Sequence, residues 1–502
     1  MKQQLTQDKR TFSMYACLRP GRPRLLMALI SVPVSVLLLV STCLAANSEN
    51  LPKLGDSTSG IVSLETERQI GQNFLRSLRA NAPMLNDPLL QDYLEHLIYK
   101  LAASSQLQDK RLDVVLIKSP VINAFAAPGG IVGVNYGLFS YGATEHEISA
   151  ILAHELAHLS QRHFARGIEA GRNTGMINLA GLLASIILMT TVGGDVGMAA
   201  LNTTQGITQS RQLSHSRARE SEADRVGIDT LVEANMDPRA MAYMFERLER
   251  ANRYSSDRIP EFLRSHPVTK SRISDSYNQT RRFPTKVWPL IVDYQLMRAR
   301  VSALTATSPQ EALLRFKDGI NDNDPIRRAA NQYGLVLSLT AKREIDEAIK
   351  YIRPLKEKYP DKIIFKIAEA DIHSQAERYE DAIEILETAL AISPGNYPLN
   401  MSYAETLIKA GRAAEAQAVL LALSNTRKND EQVWYLLAEA FGLANNIPGV
   451  HWARAEFFVL NGNYSQAIKQ LGYALPLVRD NFQQDAKIKQ RMEEIWALRS
   501  KR

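Results

Sequence analysis

Ile148-Ser149-Ala150-Ile151-Leu152-Ala153-His154-Glu155-Leu156-Ala157-His158 contains no glycine or proline and carries two histidines four positions apart. The run predicts a helix extending from about Thr144 to Arg166, and on a helix residues i and i+4 lie on one face, one turn apart. Two imidazoles so placed can point at one metal ion. The acid beside the first of them, Glu155, is then close enough to a water on that ion to take its proton. The six residues before His154 are apolar or small, which suits a buried helix and not a surface helix with two incidental histidines.

A catalytic ion of this kind needs a third protein ligand and an open fourth position. Gln161 and Phe164 occupy the places where a metzincin extension would put Gly and His, which excludes that class. His163 lies about 500° around the helix from His158, so it is expected to project elsewhere as a supporting or structural residue. Glu220, in Glu220-Ser221-Glu222-Ala223-Asp224, is the better candidate, because two histidines and a carboxylate form a well-populated zinc set. Asp224, one turn later, can accept the free N–H of a ligating histidine and fix its tautomer. By itself such an acid cluster reads as a solvated helix face, but Ala223, Val226, Gly227 and Ile228 around it point to burial.

Outward from this centre, the residues from Ile61 to Ser104 follow a helical period, with Ile70, Phe74, Leu75 and Leu78 on one face and, after Asp87-Pro88, Leu90, Tyr93, Leu94 and Leu97 on another. Leu112 to Ile117 and Ile131 to Asn135 read as strands, with Pro128-Gly129-Gly130 as a turn. The apolar stretch Met176 to Val192 is interrupted by Asn178, Ser185 and Thr190 and is at the short end for a membrane span. It reads better as a buried or membrane-surface helical hairpin beside the site, ended by Gly193-Gly194. Helices are expected again over Arg211–Glu233 and Pro238–Asn252. Further on, Ala348, Ala382 and Ala416 stand 34 residues apart, as do Pro360 and Pro394. That period is the signature of tetratricopeptide repeats; an ordinary helical bundle is the alternative. Trp434, Leu437, Ala438 and Phe441 match the first helix of another unit, and Gly462, Ala467 and Ala474 the later part of one more, with an irregular offset after Ala416.

These motifs together, His154-Glu155-x-x-His158, Glu220-x-x-Ala223-Asp224, His266-Pro267 with Arg272, and Asn123-Ala124-Phe125-Ala126 before Pro128-Gly129-Gly130, resemble the peptidase family of the CAAX prenyl proteases and HtpX. With the 34-residue period, the resemblance implies a mainly α (α+β) fold: a gluzincin-type metallopeptidase domain with a small β-sheet, and after it the α-solenoid of tetratricopeptide repeats that the period predicts. It implies one zinc ion per chain, held by His154, His158 and Glu220, with Glu155 as general base and later proton donor. Asn123, Ala124, Phe125 and Ala126 would form an edge strand that pairs with an extended substrate. His266 would approach the zinc from a mobile loop, closing the open position or steadying an oxyanion, with Arg272 helping from the same loop. Taken alone, His266 is equally an exposed loop residue. The chain lacks the clear multiple spans of the integral-membrane members, which argues against a lipid-modified substrate.

Composition agrees with a folded globular protein: 502 residues, 45% hydrophobic and 23% charged. The formal charge of +7 belongs mostly to residues 1–45, and without them it falls to about +2, so no nucleic-acid partner is implied. Arg19, Arg22 and Arg24 precede an apolar run, Leu25 to Leu44, that exits through Ala45-Ala46. This reads as a cleavable signal peptide over 1–46 and export to the periplasm; an uncleaved anchor and lipidation at Cys43 are the rivals, and Pro33 with the small-residue exit favours cleavage. Cys17 and Cys43 are the two cysteines, both in this leader, so a cleaved chain must hold its metal with His and carboxylate. The expected organisation is a metallopeptidase domain over 55–283, a linker over 284–308 and a repeat domain over 309–497. The expected partners are protein substrates: by the resemblance, outer-membrane beta-barrel proteins and their assembly machinery, bound through the repeats, with peripheral membrane contact possible. Two functional classes follow: a periplasmic zinc endopeptidase and chaperone that degrades misassembled proteins, or chiefly a repeat-mediated adaptor with latent proteolysis.

Overall fold

The computed structural model describes residues 62–171, 175–191, 217–254 and 261–500. The leader over 1–46 and Gly193-Gly194 lie outside the described residues.

Helix α1 (Leu64–Asn81) starts where the Ser63 side chain accepts from the Thr66 N–H, and α2 (Pro88–Ala103) where Asp87 accepts from the Leu90 N–H just before a proline at the first helical position. Three short strands follow: β1 (Asp113–Ile117), β2 (Ala124–Ala127) and β3 (Ile131–Asn135). Their order is β1-β3-β2. β1 runs parallel to β3, with Asp113 opposite Ile131, and β2 is antiparallel to β3, with Ala124 opposite Val134. β2 is therefore an edge strand, joined to β3 through the turn at Pro128–Gly130. The short α3 (Gly137–Tyr141) leads to α4 (Glu145–Ser160), capped by Thr144 and buried from Glu145 to His158.

The long helix expected to Arg166 breaks at Gln161–Arg162, where Arg162 takes a positive φ of 50°, and resumes as α5 (His163–Gly171). Next comes α6 (Gly175–Thr191), the apolar stretch, which packs back on α5 and against α1. Leu179 and Leu183 are buried with Phe164 and Ile168, while Met176 and Ile177 are exposed. Among the described residues no helix is long and apolar enough to cross a membrane. α7 (Arg217–Glu233) lies against α4; a Cβ on Gly227 would come within 3.2 Å of the His154 backbone nitrogen, so the missing side chain is what lets these helices approach at the histidine. The domain closes with α8 (Ala240–Tyr254), α9 (Glu261–Ser265) and α10 (Lys270–Thr280).

The stretch expected as a linker over 284–308 holds α11 (Val292–Leu304), and it is no free tether. Tyr294, Leu296, Met297 and Val301 belong to one core that runs from α2 and α4 into the repeats as far as Leu399. Arg300 makes a forked pair with Asp87, at 2.7–2.9 Å, and donates to the Tyr333 hydroxyl. The repeats begin with α12 (Pro309–Gly319) and α13 (Pro325–Ala341). They continue as α14 (Ile345–Lys358), α15 (Ile363–Gln375), α16 (Tyr379–Ile392), α17 (Tyr397–Lys409), α18 (Ala413–Thr426), α19 (Glu431–Leu443), α20 (Ile447–Leu460) and α21 (Tyr464–Ala474), and end in α22 (Phe482–Ser500).

The array is more regular than the alanines suggest. The starts of α14, α16, α18 and α20 are spaced by the same 34 residues, and Val450 occupies on α20 the place of Ala348, Ala382 and Ala416. Ala467 lies on α21, half a repeat later, which accounts for the irregular offset. The turn entering each second helix has one left-handed residue, at Arg343, Glu377, Gly411 and Asn445. Glycine holds this conformation without steric cost in the third of them. The array then returns to the first domain: Arg427 pairs with Glu95 of α2 at 2.6 Å, and the Asn429 carbonyl accepts from Arg79 of α1.

Candidate metal centre

Because α4 is a regular helix at His154 and His158, one turn separates the imidazoles, and their Nε2 atoms lie 3.0 Å apart. α7 crosses at this level and brings Glu220 against both, Oε2 at 3.5 Å from His154 Nε2 and Oε1 at 3.6 Å from His158 Nε2. His266 follows α9 in its last turn, where its N–H donates to the Phe262 carbonyl, and its ring stacks on Phe262. Its Nδ1 is 3.1 Å from both Glu220 oxygens and 3.4 Å from His154 Nε2. His266 is thus buried, at 4% exposure, and is not an exposed loop residue.

His154, His158, Glu220 and His266 each offer a ligand atom, all within 4.8 Å of one another and all buried. Zinc–nitrogen and zinc–oxygen bonds of about 2.0–2.1 Å in a tetrahedron separate donors by about 3.3 Å, close to the spacings here. The donor set, three imidazoles and a carboxylate, also suits zinc or a similar borderline cation. Burial pushes His154 towards neutrality, but Asp224 and Glu220 outweigh it and raise its pKa to about 9. A positive charge at this spot is therefore stabilised by the fold.

The surrounding residues hold these donors in place. Asp224 stands 2.9 Å from His154 Nδ1 and accepts two bonds of 2.7 Å from Arg272. Burial raises the Asp224 carboxyl, yet Arg272 and His154 together hold it below the usual range. Arg272 also reaches Glu220 Oε2 and the Pro267 carbonyl, each at 3.0 Å, and lies over the Phe245 ring. It sits in the first turn of α10, capped by Thr269, and not on the loop with His266. Its guanidinium is engaged with Asp224 and Glu220.

Glu155 is 2% exposed. Its Oε2 accepts from the Ala126 N–H at 2.9 Å, and its Oε1 is 3.4 Å from His266 Nε2. Burial raises its pKa, with His266, His154 and the Ala126 N–H opposing. The edge strand and the acid are thus in direct contact. Asn123, Ala124, Phe125 and Ala126 are all buried, with Phe125 edge-on to Phe74, so β2 meets any partner strand through its backbone.

Two features escape sequence reasoning. The break at Arg162 turns His163 back into the site, so that its Nδ1 lies 2.7 Å from His158 Nδ1 and its Nε2 3.1 Å from Glu222. His163 does not project elsewhere; burial lowers its pKa to about 4. The other is the Ala126 N–H on Glu155, a backbone contact that no side-chain pattern records.

Residues 88–278 match Peptidase family M48, and residues 374–440 match a tetratricopeptide repeat. The chain is 31% identical to the beta-barrel assembly-enhancing protease of Escherichia coli (strain K12), over 92% of its own length and 94% of the relative's. It is 30% identical to the protein of that name from Yersinia pestis, over 89% and 92%. A shorter match, 30% identity over 34% of this chain and 32% of the relative, is to the mitochondrial metalloendopeptidase OMA1 of Arabidopsis thaliana.

Proposed function

This chain belongs to peptidase family M48, among the beta-barrel assembly-enhancing proteases, and from that premise we propose that it is a zinc endopeptidase of the periplasm. In this reading it acts in outer-membrane protein assembly, degrades chains that misassemble, and binds its protein clients through the repeats. The observation that carries it is the buried cluster of His154, His158, Glu220 and His266 with Glu155 beside it.

His154, His158 and Glu220 would hold the zinc. The ion would polarise a peptide carbonyl and bring the pKa of its water towards about 7. Glu155 takes the proton from the attacking water and returns it to the departing amine. The edge of β2 pairs with an extended substrate backbone, in the manner of strand addition. That pairing draws on the same Ala126 N–H that holds Glu155 at rest, so substrate docking and release of the base are linked. Asp224 keeps His154 in one tautomer, and Arg272 keeps Asp224 and Glu220 in register.

A second reading, a chaperone or adaptor whose protease is latent, is favoured by His266. Catalytic zinc sites keep one position open, and His266 stands 3.1 Å from Glu220 as a fourth donor. Activity then requires His266 to withdraw. Glu155→Gln separates the two readings: it keeps the metal and loses casein degradation. Full casein degradation by this variant would end the protease reading. Full rescue of outer-membrane assembly by the same variant would assign the main task to the repeats.

A further inference from the structure

Between the C-terminal half of α1 and the end of the repeat array lies a groove of about 540 Å³. Its charge is one-sided. α1 contributes Arg76 and Arg79, the α18–α19 connection Lys428, and α22 Lys487 and Arg491; the one carboxylate in the lining is Glu456. Glu456 is spent on Arg491, at 2.6 and 2.8 Å. The other four cations make no ion pair among the described residues. Arg76 donates to Asn73, Arg79 to the Asn429 carbonyl, and Lys487 stands 4.5 Å above the Trp452 ring. Other cations of the array are paired, among them Arg412 with Glu415 and Glu380, and Arg427 with Glu95. What sets the groove apart is that these four cations line one concavity whose single carboxylate is already engaged.

The floor is apolar. Trp434 and Trp452 line it with Leu421, Leu460 and Leu498, and Leu421 is 39% exposed. The Trp434 indole is fixed by its bond to the Lys428 carbonyl. Rigid aromatic rings amid unpaired cations are the composition of recognition surfaces for segments that are both acidic and apolar.

We propose that this groove docks an extended acidic segment of a protein client, its carboxylates on the four cations and its leucine or aromatic side chains on the two indoles. The inference rests on the reading that the clients are proteins. A bilayer face does not enter a concavity closed by α1 on one side and α22 on the other. A phosphate polymer has no aliphatic side chains to seat on the leucines. Docking here would tether a client to the same compact unit that carries the metal centre and raise its local concentration there.

The test uses the full chain carrying Glu155→Gln, so that binding is read without cleavage. The probe is a short fluorescein-labelled peptide alternating Glu and Asp with Leu and Phe, followed by anisotropy and tryptophan quenching. It should bind at low salt, weaken steeply as salt rises, and lose about tenfold or more in affinity in Lys428→Glu/Lys487→Glu. Both lysines are exposed and make no ion pair among the described residues, so charge reversal should leave thermal unfolding unchanged; Trp452→Ala, with charge intact, should also weaken binding. Equal binding of the peptide with Lys for each acid, or unchanged affinity in the reversed variant, overturns the proposal. So does sedimentation with phosphatidylglycerol vesicles through these lysines without peptide binding. Failure here leaves casein degradation by the unsubstituted chain standing, and failure of the protease reading leaves this binding standing.

Discussion

Replacing Asp224 with Asn should lower metal affinity and stability together, because one buried carboxylate serves two cationic partners. Asp224 receives two bonds of 2.7 Å from Arg272 and stands 2.9 Å from His154 Nδ1. Asn keeps the shape but offers one acceptor oxygen, and its NH2 must face either the guanidinium or the ring nitrogen, a donor against a donor. Removing a supporting carboxylate from a ligating histidine costs about 10–100-fold in metal affinity. Breaking a buried ion pair by removing one partner costs about 3–5 kcal/mol. Arg272 keeps Glu220 and the Pro267 carbonyl at 3.0 Å, so the lower end, about 3 kcal/mol, is expected. Chelator competition reads the first quantity, and urea unfolding of the metal-free protein the second. In Asp224→Asn/Arg272→Met the unpaired charge is gone, so stability should recover while metal affinity stays low. If Asp224→Asn binds metal within about twofold of the parent and unfolds at the same urea concentration, Asp224 is not what orients His154 and the reasoning fails.

His266→Ala should raise basal casein degradation, since it removes the fourth donor from the cluster; a rate equal to or below the parent's would show that His266 is not restraining the site. Arg300→Met leaves Asp87 buried without its fork and should cost about 3–5 kcal/mol in urea unfolding, whereas a loss under about 1 kcal/mol would place that pair among screened surface contacts. Glu405, within the repeats, has its pKa raised to about 7, by burial first and by Asp371 second. The folded chain therefore keeps this proton after the unfolded chain has lost it, and stability falls as pH rises from about 4.5 to 7. Glu405→Gln should be neutral near pH 4 and stabilising by up to about 3 kcal/mol at pH 8; thermal unfolding at both values checks it, and an unchanged slope would exclude Glu405 as the titrating group.

What could be read in the chain was whatever depends on neighbours in sequence. Ser63, Asp87 and Thr144 cap helices that begin where their patterns predict. The four-residue spacing of His154 and His158 needed only a regular helix, and Glu220 with Asp224 could be told from a solvated face by the small and apolar residues around them. Legibility ended where conformation departed from the side-chain pattern. Arg162 takes a left-handed conformation with no glycine to announce it, and that one residue decides whether His163 points away or into the site. Val450 keeps the register of the repeats while hiding it from a search for alanine. The return of the array is a different kind of problem: the curvature of a solenoid is the sum of small rotations between successive units, so no residue encodes the meeting of Arg427 with Glu95, 332 positions away. The same sum brings Lys428 and Lys487 opposite Arg76 and Arg79. Each of these cations reads in sequence as an ordinary solvated surface charge. Convergence on one groove is a property of the assembled curvature, which is why a binding surface there becomes visible only with the fold.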